Sequence, residues 1–228
     1  FADTRYLPYG DKPEAFLRER GVAIARALAA RGAKALVVAC NTATAAAAEA
    51  IRAATHLPIV ALEPGVKPAA ALTRSGVIGV LATTRTLDSE RFQRLVGNHA
   101  NHVRVVARAC PGLAEAIEAG GAGSAVVEAL LDDHVAPLAQ AGADVVVLGC
   151  THYPWVAEAI ARRMPAGTTL LDTGEAVARQ LDRLLAAGSL LGGGSGRLAV
   201  ATSGAPGTVA ATVDRLWGHH LPVEHWEP

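Results

Sequence analysis

Cysteine is scarce in this chain: three residues, at positions 40, 110 and 150, among 228. Three widely spaced thiols make a poor disulfide framework, and a reducing cytoplasm is the expected compartment. An excess of either charge is also missing, with 21 basic and 21 acidic side chains. Nothing therefore points to nucleic acid or to an acidic surface as partner. Apolar runs fall far short of the roughly 20 residues that a membrane span needs, and no charged-then-apolar leader is visible. Aromatics are few, three each of Phe, Tyr and Trp, which we read as composition bias. What is abundant is aliphatic. With 51 % hydrophobic residues, a sizeable core is expected and disorder is not. The length suits one large or two small domains. The first residue is Phe1, so the chain is expected to begin inside a longer gene product.

Short apolar, β-branched runs mark expected strands over Leu36–Ala39, Ile59–Leu62, Val77–Ala82, Val103–Ala107, Val145–Leu148, Thr169–Leu171 and Leu198–Ala201. Helical patterns lie around and between them, over Pro13–Arg31, Thr44–Ala54, Leu87–Val96, Gly112–Ala119, Ala125–Gln140, Trp155–Arg163, Gly174–Ala187 and Thr208–Trp217. Thr44 is the expected cap of the second helix. Strand alternating with helix implies an α/β fold with mostly parallel sheets and helices on both faces. Sites in such folds lie at the C-terminal ends of strands. Cys40 and Cys150 both stand at such ends.

The two cysteines are related. The stretch Arg31–Thr42, RGAKALVVACNT, aligns with Ala141–His152, AGADVVVLGCTH, at an offset of 110. Gly32 falls on Gly142 and Cys40 on Cys150. Downstream, LEPGVKPA from Leu62 meets LDTGEAVA from Leu171 at an offset of 109, placing Gly65 on Gly174 and Glu63 on Asp172. Two blocks in nearly one register suggest an internal duplication. The expected architecture is two pseudo-symmetric lobes, each with a cysteine at the top of one strand, facing each other across a cleft. The counterpart of the strand at Gly76–Thr86 would precede residue 1, so the first lobe is expected to lack its opening strand.

Two opposed thiols suit proton transfer. A thiol ionises near 8.5 unperturbed, so a modest push gives a thiolate. One thiolate can take a proton from a substrate carbon while the opposite thiol returns one to the other face, with no metal or cofactor. A disulfide would be out of place in the cytoplasm. A metal site needs more ligands at closer spacing than this chain offers. A lone Cys–His nucleophile needs only one thiol. Each cysteine alone also fits a buried small residue; the duplicated placement before polar residues favours the proton-transfer reading. Asn41 and Thr42 follow one cysteine, Thr151 and His152 the other. Side chains and free backbone N–H groups at such a turn can hold an anion, and an imidazole can partner a thiol near neutral pH.

These residues resemble the glutamate racemases of bacterial cell-wall synthesis, within the cofactor-independent aspartate/glutamate racemase superfamily. The segments that carry the resemblance are ADTRYLPYGDK (Ala2–Lys12), VVACNTATA (Val37–Ala45), GVLATTRTLDS (Gly79–Ser89), ACPGLAEAIEAG (Ala109–Gly120) and VLGCTHYP (Val147–Pro154). The resemblance implies that Cys40 and Cys150 are the acid/base thiols, with His152 tuning Cys150 and Cys40 serving D-glutamate. It implies that Tyr9, Gly10, Asn41, Thr42, Thr83, Thr86, Thr151 and His152 contact the amino acid. Glu118 is an auxiliary candidate, and Cys110 is read as structural. It further implies a cytoplasmic enzyme that needs no cofactor or metal, takes L- or D-glutamate, meets neither nucleic acid nor membrane, and leaves a homodimer open. Lobe one would be residues 1–62 with 175–228, and lobe two residues 63–174. The family opens with a strand and an Asp-Ser-Gly loop that this chain does not show, so a partner of Cys40 and one substrate contact are expected outside it. Aspartate or hydantoin racemisation, a one-cysteine decarboxylase, and an inactive binding module are the alternatives. The second cysteine argues against the decarboxylase.

Overall fold

A computed structural model describes residues 1–192, 194 and 196–228. Eight strands alternate with ten α-helices among these residues. The strands are β1 (Leu36–Val38), β2 (Ile59–Ala61), β3 (Val77–Ala82), β4 (Arg104–Ala109), β5 (Val145–Leu148), β6 (Thr169–Leu171), β7 (Val200–Thr202) and β8 (Val223–His225). The helices are α1 (Glu14–Ala30), α2 (Asn41–Ala54), α3 (Val66–Leu72), α4 (Thr84–Asp88), α5 (Glu90–His99), α6 (Leu113–Gly120), α7 (Ala125–Gln140), α8 (Ala157–Arg163), α9 (Gly174–Ala187) and α10 (Pro206–Trp217). Short 3-10 turns occupy Thr4–Tyr6, Tyr9–Asp11 and Tyr153–Val156.

Among the described residues every strand pairing is parallel. Strands run β4-β3-β5-β6 in one sheet, while β1-β2 and β7-β8 form two-stranded sheets. Ile78 pairs with Val145 and Val80 with Val147 at the centre of the larger sheet. Both central strands are almost wholly buried, as a parallel sheet covered on both faces requires. One face meets Leu113 and Ile117 of α6, Leu131 and Leu138 of α7 and Ile160 of α8. The other meets Val66 and Ala69 of α3 and Phe92 of α5. A third cluster joins Ala25 of α1 and Ala47 and Ile51 of α2 to Leu36 of β1. There α1 and α2 approach closely: a Cβ on Gly21 would lie 3.0 Å from that of Ala47.

The duplication is visible in the topology. The run β1, α2, β2, α3 is echoed by β5, the 3-10 turn with α8, β6 and α9, and each run carries a cysteine just beyond its first strand. Both runs then cross over. Leaving β2, the chain places α3 on the four-stranded sheet; leaving β6, it brings α9 against β2. The two crossing segments touch at Gly65, where a Cβ would collide with the Leu171 side chain.

Local differences from the sequence expectation have identifiable causes. Helix α2 starts at Asn41, not Thr44, because Cys40 itself occupies the cap: its Sγ accepts from the Ala43 N–H at 3.4 Å. Thr44 is buried inside the first turn and its hydroxyl donates back to Val38 O at 3.4 Å. The single helix expected over Leu87–Val96 is two, because Ser89 ends α4 and caps α5, accepting from Phe92 N–H at 3.1 Å. The helix expected from Trp155 opens as a 3-10 turn and becomes α-helical at Ala157. Helix α3 and strand β8 were not anticipated.

Candidate active site

Cys40 is placed by β1 and α2 together. The extended backbone of β1 ends, and the first turn of α2 wraps its N–H groups around the thiol, as a cap residue requires. Cys150 is placed by β5. Gly149 precedes it and donates its N–H to Leu81 O at 2.7 Å; a Cβ there would lie 2.7 Å from that same oxygen, so only glycine lets β5 approach β3 so closely. The chain then turns sharply, with Tyr153 N–H donating to Cys150 O at 3.1 Å. Two parallel strand ends thus present two thiols from two separate sheets.

Both thiols line one cavity of about 310 Å³. Tyr9, Gly10, Asn41, Thr42, Thr83, Glu118, Thr151 and His152 line it as well. Thr86 does not. It is buried behind the wall, its hydroxyl 2.9 Å from that of Thr83 and 3.3 Å from that of Thr42, while Thr42 and Thr83 lie 2.8 Å apart. Helix α4 causes this: three residues beyond its cap Thr83, Thr86 folds back over that cap and donates its N–H to Thr83 Oγ1. Cys110 also lines the cavity, although it is 3 % exposed. The sequence reading missed several wall residues: Leu7, Pro8, Asp11, Pro111, Gly112 and Glu115. All six lie within the Ala2–Lys12 and Ala109–Gly120 segments already noted, which was the available signal.

The electrostatics differ between the two thiols. Burial pushes the Cys40 thiol up; the Ala43 N–H opposes that, and a charge on Cys150 adds to it. Cys150 has an imidazole partner, with His152 Nδ1 3.6 Å from its Sγ. His152 Nε2 lies 2.7 Å from Glu118 Oε1. Burial by itself would lower the imidazole pKa, but the bonds to Cys150 and Glu118 outweigh it and raise His152 to about 10. These bonds favour the protonated ring, held between the Glu118 carboxylate and the Cys150 sulfur. Cys110 is different: burial pushes it up to about 12, so it stays a neutral thiol. Asn41 lines the cavity, and its Oδ1 is buried with no protein partner among the described residues.

Two thiols thus line one cavity, one at a helix N-terminus and the other beside a Glu–His pair. The family described as Asp/Glu/Hydantoin racemase matches residues 13–181, and the chain belongs to that family of isomerases. Among its relatives, it is 50 % identical over 218 residues to the glutamate racemase of Pseudomonas putida (strain W619), covering 95 % of this chain and 82 % of that protein. It also superimposes on the Escherichia coli glutamate racemase solved with L-glutamate and an activator, with a TM-score of 0.83 and 29 % identity over 98 % of this chain and 85 % of that one. The RacE1 isoform of Bacillus anthracis gives a TM-score of 0.87 at 26 % identity, covering 99 % and 85 %.

Proposed function

We propose that the chain interconverts L- and D-glutamate, and that Cys40 and Cys150 are the two acid/base groups. The observation that carries this reading is their equivalent placement, each at the end of a strand and both on one cavity. A thiolate on one side takes the α-proton, the resulting carbanion accepts a proton from the thiol on the other side, and the two sulfurs exchange protonation states. His152, charged at neutral pH, stabilises a thiolate at Cys150, and Glu118 holds the imidazolium in place. The N–H groups at the start of α2 favour negative charge at Cys40 and at a carboxylate beside it. Thr42, Thr83, Thr151 and the Tyr9–Gly10 turn contact the remaining polar atoms, and Thr86 fixes the two threonines in front of it. The product D-glutamate would supply peptidoglycan synthesis in the cytoplasm.

Helices α3 and α9 support a division into lobe one, residues 1–62 with 175–228, and lobe two, residues 63–174, with the cavity between them. Substitution by serine tests the roles of the thiols. Cys40→Ser and Cys150→Ser should each abolish racemisation in both directions, because turnover passes through both faces. Each variant keeps one thiol able to abstract. With a glutamate analogue carrying a β-leaving group, elimination needs only that abstraction, so the two variants should eliminate from opposite enantiomers. Preference of both for the same enantiomer, or near-normal racemisation by either, would refute the two-thiol mechanism.

A further inference from the structure

Behind the Tyr9–Gly10 turn lies a charged cluster that takes no part in the proton transfer described above. Asp3 and Arg20 are an ion pair with side chains only 7 % and 10 % exposed. Arg20 donates from Nε to Asp3 Oδ2 at 2.9 Å and from its terminal nitrogen to Oδ1 at 2.7 Å, a two-point clasp. The Tyr9 hydroxyl donates to Asp3 Oδ2 at 2.5 Å. The same guanidinium lies 4.5 Å from the centre of the Tyr6 ring. Asp3, Tyr6 and Tyr9 are three residues apart, on a segment with 3-10 turns at Thr4–Tyr6 and Tyr9–Asp11. One arginine from α1 thereby gathers the whole segment that leads into the cavity wall. The segment is also tied to β7, where Ala2 N–H donates to Ala201 O and Ser203 N–H to Ala2 O.

Burying charge without a partner is costly, so a carboxylate this deep must have its donors in place. Tyr9 spends its only hydroxyl proton on that carboxylate and has none to give a substrate. Burial, then the bond to Asp3, raise the phenol well above its ordinary pKa, which keeps it a neutral donor. Its ring and backbone are thus held by one end while Gly10 packs beside Thr83, where a Cβ would sit 3.8 Å from that of Thr83.

We infer that Asp3 and Arg20 are positioning residues for substrate binding: through the Tyr9 hydroxyl they hold the Tyr9–Gly10 turn in place beside Thr83 on the wall of the cavity that takes the amino acid. This rests on the proposed function, because it assigns the turn to the substrate side of the same cavity. It separates binding from chemistry, since the cluster holds a wall and leaves the thiols and His152 untouched.

Steady-state kinetics on both enantiomers test it, with Tyr9→Phe, Asp3→Asn, Arg20→Lys and the Tyr9→Phe/Asp3→Asn double variant. Tyr9→Phe should raise KM for L- and D-glutamate alike by about tenfold, the loss expected for a hydrogen bond to a charged group. Its kcat should stay within about threefold of the parent's, and the alkaline limb of the pH profile should not move. Arg20→Lys keeps the charge but loses the planar fork, and should raise KM in the same way. The double variant should be no worse than its worse single parent, because both changes cut one linkage. An unchanged KM in Tyr9→Phe, a loss confined to kcat, or additive effects in the double variant would overturn the inference. Should Asp3→Asn fail to fold, Tyr9→Phe and Arg20→Lys decide by the same criteria. Failure of the elimination test on the cysteine variants would instead strike the proposed function, so the two outcomes are distinct.

Discussion

Replacing Glu118 by Gln keeps the shape of the side chain and an oxygen that can still accept from His152, but removes the charge. That charge lies 2.7 Å from the imidazole nitrogen. Coulomb's law gives about 6 kcal/mol for such a pair at an effective dielectric of 20 and about 1.5 kcal/mol in bulk water. The pair is partly open to solvent, with side chains 26 % and 35 % exposed, so screening brings the value near the lower bound, about 2 kcal/mol. At 1.36 kcal/mol per unit, the His152 pKa should fall by about 1.5 units. The sign follows from the direction of the shift. An acceptor raises the pKa of an imidazole, so losing it returns His152 from about 10 toward its ordinary value. The imidazolium is then lost at lower pH. The assay is the pH dependence of kcat/KM for racemisation, followed from pH 6 to pH 11 (an experimental range of about five units that brackets the shift). The alkaline limb should move down by about 1.5 units in Glu118→Gln, with activity near neutrality reduced much less. An alkaline limb that stays in place, or moves upward, would refute the assignment of His152 as the charged partner of Cys150.

Two further outcomes follow from the packing. Gly149→Ala would place a Cβ 2.7 Å from Leu81 O and 3.0 Å from Ala82 Cβ; the backbone must give, at a cost of about 1–3 kcal/mol, and Cys150 moves with it. Calorimetry should show a Tm lower by several degrees together with a fall in kcat, whereas parental values of both would mean that β3 and β5 are not packed this closely. Asp144 accepts from Thr73 Oγ1 at 2.5 Å and from the N–H groups of Arg74 and Ser75 at 2.8 and 2.9 Å. Its slight burial is outweighed by these bonds, which hold its carboxyl well below the usual range. Its stabilisation is therefore complete above the unfolded carboxylate pKa of about 3.9 and is lost as pH falls through the folded value. Urea midpoints measured against pH should show a flatter acid limb for Asp144→Asn, and an unchanged slope would count against this reading.

Most of the scaffold could be read from the chain because apolar runs and helix patterns report burial directly. The strand ends bearing Cys40 and Cys150 were legible for that reason, as was the pairing of the two halves. Less legible was anything decided by which way a side chain turns. Thr83 and Thr86 look alike in TTRT, yet one caps α4 on the cavity and the other lies behind it. Thr44 looked like a cap because threonine usually is one, but the chain uses Cys40, a residue with little capping preference. Helix α3 escaped notice because Pro64 and Pro68 flank and enter its short first turn, where proline is tolerated. Glu118 could be nominated but not joined to His152, since 34 residues separate them in sequence. Asp3 and Arg20 carried no signal at all: a charge pair 17 residues apart reads as two solvated side chains until the fold buries it.

The crossover of α3 and α9 also bears on the order in which the molecule can assemble during synthesis. The four-stranded sheet and the helices α3 and α5 to α8 that cover it come from one continuous stretch, between Val66 and Leu171. That sheet is complete as soon as its last strand leaves the ribosome. The strands β1 and β2, although made earlier, gain the cover of α9 on β2 only after that later helix is made. Domains made during translation ordinarily fold from the N-terminal side first. Here the middle stretch holds all the strands of its own sheet, whereas β2, in the sheet that ends just before Cys40, takes its cover from a helix made more than 100 residues later.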